Sequence, residues 1–86
     1  MNQVINLEER RNKKILQKRL DKLDENIKEL KELEVALKSC LSILNKHEKY
    51  ANIRRRIEDI FYLYQDTQRT ISNRYEVRRK LQNEIN

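Results

Sequence analysis

The chain contains no glycine and no proline. Those two residues punctuate most turns and strand ends, so a β-rich fold with many tight reversals is excluded. A phosphate-cradling loop is excluded as well, because such loops depend on glycine to bring the backbone close to the ligand. There is no tryptophan, and only one cysteine and one histidine occur. The lone Cys40 has no partner for an internal disulfide and reads as a small apolar residue in a reducing compartment. The lone His47 lacks the neighbouring Cys, His or carboxylate set of a metal or catalytic centre, and reads as a solvated residue near a turn. Long apolar runs are missing too. The longest, Ile60-Phe61-Tyr62-Leu63-Tyr64, is far too short to span a bilayer. The start, Met1-Asn2-Gln3-Val4-Ile5-Asn6-Leu7, has neither the basic stretch nor the apolar core of a secretory signal. The expected location is therefore cytoplasmic, with no membrane contact.

What remains is strongly charged. Charged residues make up 40% of 86 residues, with a net charge of +6. Such a composition belongs either to a disordered chain or to exposed helices with a narrow apolar seam. The spacing of apolar residues selects helices. Leu16, Leu20, Leu23, Ile27 and Leu30 step by four and three, the heptad pattern of a coiled coil. The pattern then reads through Leu33, Leu37, Cys40 or Leu41, and Leu44, with a second consecutive step of three that would alter the supercoil locally. A second stripe runs Ile53, Ile57, Ile60, Tyr64, Thr67, Ile71, Tyr75, Arg78, Leu81 and Ile85.

At roughly 100° per residue, Leu44 and Ile53 lie about half a turn out of phase. One continuous helix would put the two stripes on opposite faces, whereas folding back brings them together. The expected fold is all-α: a single domain over 1–86, a two-helix antiparallel coiled-coil hairpin. Helix one covers about 7–45, the turn about 46–51 and helix two about 52–85. Asn6 with Glu9 three residues later has capping-box spacing for helix one. Asn45 suits a left-handed residue closing that helix, and Asn52 a cap for the next. With the turn centred near Glu48, Leu44 would face Ile53, Leu37 Ile60, Leu33 Tyr64, Leu30 Thr67, Ile27 Ile71, Leu23 Tyr75 and Leu20 Arg78. So small a pair of helices buries little surface, so association into a four-helix bundle is expected.

Among the acidic residues in the middle of helix one, Asp24 and Glu34 have lysines four residues on, at Lys28 and Lys38. That is the look of an exposed face rather than an acid–base pair. No catalytic residues, metal ligands or cofactors are expected, and the chain reads as a non-enzyme. The basic residues carry more information. Arg10, Arg11, Lys13, Lys14, Lys18 and Arg19 cluster near the start, and Arg74, Arg78, Arg79 and Lys80 near the end. A hairpin brings both groups to one open end. A further cluster, Lys46, Lys49 and Arg54-Arg55-Arg56, sits by the turn. Positive patches of this kind attract acidic protein surfaces or phosphate backbones. Tyr50, Ile57, Phe61, Tyr62 and Tyr75 form the expected dimer or partner interface, which Ala36, Cys40 and Ile43 would extend on helix one.

The sequence thus points to a helical protein–protein interaction module, a small adaptor, regulator or inhibitor of the sort a phage or plasmid carries. It would act as a homodimer on a partner with an acidic surface. The alternative is a nucleic-acid-binding protein that uses the basic end.

Overall fold

A computed structural model describes the backbone of residues 2–86 and the side-chain surroundings from Arg10 onward. Among the described residues there are two helices and no strand: α1 over Asn2–Asn45 and α2 over Ala51–Ile85, packed against each other. The molecule measures 73 × 15 × 14 Å.

α1 begins five residues earlier than the start at Leu7 that the capping-box spacing at Asn6 suggests. Nothing between Asn2 and Leu7 breaks a helix, and asparagine in a helix interior costs only about half a kcal/mol relative to alanine. Propagation therefore wins over capping. The side chains of Asn6 and Glu9 themselves lie outside the described side chains.

The reversal is made without any left-handed residue. No described residue has positive φ, so Asn45 does not close α1 in the way its chemistry suggests. Instead the last turn tightens: Lys46 N–H donates to the Ile43 carbonyl at 3.2 Å and His47 N–H to Leu44 at 2.9 Å. These are the shorter-range bonds that commonly finish an α-helix. The first residue outside α2 is Tyr50, extended at φ −86° and ψ 123°, with no side-chain cap. Its carbonyl accepts from Ile53 and Arg54, which starts the helix. Asn52 accordingly lies inside α2 rather than capping it. Five connecting residues with negative φ spread the reversal widely enough that glycine is unnecessary.

The buried side chains fall on the expected stripes, with two corrections. Among the described residues Leu20, Ile27, Leu37 and Ile71 are the buried apolar ones, and Thr67 is the buried polar one. Leu16, Leu23, Leu30, Leu41 and Leu44 on α1 are half-buried, as are Ile53, Ile57, Ile60, Tyr64, Leu81 and Ile85 on α2. The Thr67 hydroxyl satisfies itself by donating to the Leu63 carbonyl at 2.8 Å, which lets it sit in the seam.

The first correction is at Leu33, which is 43% exposed while Glu34 is half-buried. α1 therefore keeps strict alternation through Leu30, Glu34, Leu37 and Leu41, with no second step of three. α2 runs regularly through Ile60, Tyr64 and Thr67, and a local rotation of only one seam would unmatch the two faces. Periodicity wins over the hydrophobicity of one residue, and the half-exposed Glu34 side chain retains access to water.

The second correction is at Tyr75, which is 42% exposed and sits under the Lys31 ammonium, 5.1 Å from its ring centroid. The regular heptad step from Ile71 to Arg78 runs through Arg74. Arginine thus occupies two successive seam positions of α2, and the pair of helices is loosely filled there.

Candidate functional site

Two cross-helix contacts define the sides of the pair. The Arg78 guanidinium donates to the Asp24 carboxylate at 2.6 Å, and Lys31 covers the ring of Tyr75. Hydrogen bonding toward the Tyr75 hydroxyl holds the Lys31 amine above the ordinary lysine value. Asp24 is thereby engaged by the other helix rather than by Lys28 on its own. The Arg78–Asp24 pair is about two-fifths exposed on each side, so it fixes position more than it stabilises.

The flank marked by these contacts carries an apolar stripe. Phe61 precedes Tyr75 by two heptads and so shares its side of α2. Val35 follows Lys31 by one turn of α1. Val35 is 63% exposed and Phe61 45%. An open groove of about 530 Å³ runs along α1 here, lined by Asp24, Ile27, Lys28, Lys31, Glu32 and Val35. Ile57 is taken up by the seam, where it is half-buried. Tyr50 stands at the turn with Lys49 over its ring, and Tyr62 is exposed within weak reach of Glu58. Cys40 follows Lys31 by nine residues, about half a turn of helix, so it faces the opposite flank. Leu33 follows Lys31, and Leu63 follows Phe61, by two residues, about 200° around the helix, so both also lie on that opposite flank. Cys40 and Phe61 thus do not form one surface.

The basic residues separate into engaged and disengaged groups. Arg10, Arg11, Lys13, Lys14, Lys18 and Arg19 are exposed along α1; Arg74, Arg79 and Lys80 are exposed on α2, and Arg78 is half-buried. Arg78 is held by Asp24, and Arg79 by Glu76 one turn away. The Arg79 guanidinium bonded to it pulls the Glu76 carboxyl below its ordinary value, and Glu76 raises Arg79 in return. At the turn end, Arg56 lies 3.8 Å from Asp59.

Arg19 and Arg74 are different. With Lys22, Leu23 and Asn26 they line one groove of about 270 Å³. Among the described residues no carboxylate lies within ion-pairing distance of Arg19, Lys22 or Arg74. Lys22 has no signal in the sequence strong enough to set it apart, because it sits between Asp21 and the acidic stretch that begins at Asp24. Only its position beside Arg74 of the other helix gives it a role.

His47 is exposed in the turn. Among the described residues no three His, Cys, Asp or Glu side chains gather in a way that could hold a metal ion, and no helix is long and apolar enough to cross a membrane. No protein-family model matches this chain, and neither a curated protein nor a solved structure matches it.

Proposed function

We propose that this chain is a non-enzymatic helical interaction module. In this reading it is an antiparallel coiled-coil hairpin that pairs with a second copy into a four-helix bundle, works in the cytoplasm and offers a basic end to an anionic macromolecule. The order of the cross-helix contacts supports the antiparallel sense, since Asp24 and Lys31 of α1 meet Arg78 and Tyr75 of α2 in reversed sequence. The long dimension supports it as well. Helices of 44 and 35 residues placed end to end would run about 118 Å, against the 73 Å of the molecule. The register expected from the sequence, with the turn centred near Glu48, sets Leu37 opposite Ile60. Cysteines at both positions, in a Cys40→Ser background, are expected to form a disulfide within one chain. Disulfides found only between chains would mean an extended, swapped pair.

The observation that carries the functional reading is the flank with Val35, Phe61 and Tyr75 exposed beside a core of only four buried apolar residues among those described. An underfilled core next to an uncovered apolar stripe favours a second copy as occupant, because doubling the helices buries the stripe and enlarges the core together. Sedimentation equilibrium at micromolar concentration is expected to show a dimer. Phe61→Glu should weaken it by about tenfold or more, a loss of about 1.4 kcal/mol. Leu63→Glu, on the other flank, serves as the control. A folded monomer at every concentration would overturn this reading.

A second reading, nucleic-acid binding by the basic end, is favoured by the groove that Arg19, Lys22, Asn26 and Arg74 share. An acidic protein surface is the competing occupant of that end.

A further inference from the structure

The groove at the basic end is made by a defect in the seam. A leucine at position 74 would close the layer over Leu23. Arginine there has a long flexible stem and a head that keeps to water, so Leu23 is left half-buried as the floor of an open trough. Arg19, Lys22 and Asn26 follow one another by three and four residues, which places them along one stripe of α1 above that floor. Arg74 closes the trough from α2.

We propose that Arg19, Lys22, Asn26 and Arg74 form a phosphate-binding site that holds one backbone phosphate of a nucleic-acid strand. The inference rests on the nucleic-acid reading of the basic end and assigns its contact residues.

The polar groups facing this trough are suited to donate. The residues that line this one small groove carry two guanidinium forks, an ammonium and a carboxamide, and the three cations have no counter-charge within ion-pairing distance among the described residues. Arg78 and Arg79, close by in sequence, are already engaged by Asp24 and Glu76 and have less to offer. Guanidinium forks match two oxygens of a phosphate at once, and a low-polarity floor such as Leu23 strengthens charged hydrogen bonds above it. A nucleic-acid strand is favoured over an acidic protein surface by what continues from the trough. Arg10, Arg11, Lys13, Lys14 and Lys18 extend the positive charge along a rigid helix, about 18 Å from Arg10 to Lys22. A strand presents phosphates at regular short intervals over that length. Carboxylates on a folded protein are rarely so evenly strung.

The test uses the full chain with a fluorescein-labelled 20-base-pair duplex and a single strand of the same length, by anisotropy from 50 to 200 mM KCl. Both are of arbitrary sequence. Binding is expected, with log affinity falling linearly against log salt. Arg19→Ala with Arg74→Ala should weaken binding by about tenfold at low salt and lower the slope by about one, the loss of one neutralised phosphate. Arg56→Ala with Arg69→Ala removes the same charge from residues that already have carboxylate partners, Asp59 and Asp66, each at 3.8 Å, and should change the slope less. Circular dichroism of each variant checks folding. An independent reading is the side-chain amide resonance of Asn26, which should shift in the intact protein when duplex is added. Duplex binding with an unchanged slope in the Arg19/Arg74 variant, or with no Asn26 shift, would overturn this site while leaving the nucleic-acid reading standing. No binding to either nucleic acid, together with binding of polyglutamate, would overturn both and give the basic end to an acidic partner.

Discussion

Ile27→Ala is expected to unfold most of the helix pair. Ile27 is 5% exposed and is one of only four buried apolar residues among those described. Truncating a buried isoleucine to alanine costs about 2–5 kcal/mol through lost transfer energy and the cavity left behind. A small domain with so little core has only about 3–5 kcal/mol of stability to lose. An isolated helix is marginal in water, so losing the packing should carry the helical signal with it. Urea titration followed at 222 nm should show the loss directly, at one fixed protein concentration because self-association would make the midpoint concentration-dependent. Ile15→Ala is the companion measurement. Ile15 is 51% exposed, and its replacement should change stability by no more than about 0.5 kcal/mol. A loss below about 1 kcal/mol for Ile27→Ala would mean that the seam is not the principal source of stability.

Glu34→Leu is expected to stabilise the chain by about 1–2 kcal/mol, while Leu33→Gln should be close to neutral. Glu34 occupies a seam position on α1, between Leu30 and Leu37, and is half-buried. A leucine there would add apolar contact to the layer and remove a partly desolvated carboxylate. Leu33 is more exposed at 43%, and its replacement removes little from the core. For a chain of this size a gain of 1 kcal/mol raises the melting temperature by about 4–8 °C, well within reach of a thermal scan. The reverse ranking, with Leu33→Gln costly and Glu34→Leu neutral, would place the seam through Leu33 and restore the two consecutive steps of three.

These two positions show where reading residues one by one reaches its limit. The apolar spacing from Leu16 to Leu30 is written in the chain itself, and both helices follow from it and from the absence of glycine and proline. His47 falls in the turn where the apolar spacing lapses, and the helices end within a few residues of where that lapse begins. At Leu33 and Glu34, however, two phases are possible from α1 alone. Hydrophobicity favours one, and the regular face of α2 imposes the other. The same holds at Arg74 and Tyr75, where the aromatic looks like the seam residue but is half out in water under Lys31.

The interface and basic residues divide in the same way. That cations cluster near both ends of the chain is a property of the linear sequence. Which of them are engaged is not. Arg78 reaches Asp24, fifty-four positions away in sequence, and Arg74 meets Arg19, Lys22 and Asn26 across the helix pair. The sequence by itself determined the helical class, the two stripes and the uneven charge, because each depends on spacing within a few turns. Only the tertiary structure decided the seam phase at Glu34, the flank that Phe61 shares with Val35 rather than Cys40, and the grouping of Lys22 with Arg74. Each of those depends on how one helix is rotated against the other, and that angle is set by all the layers together.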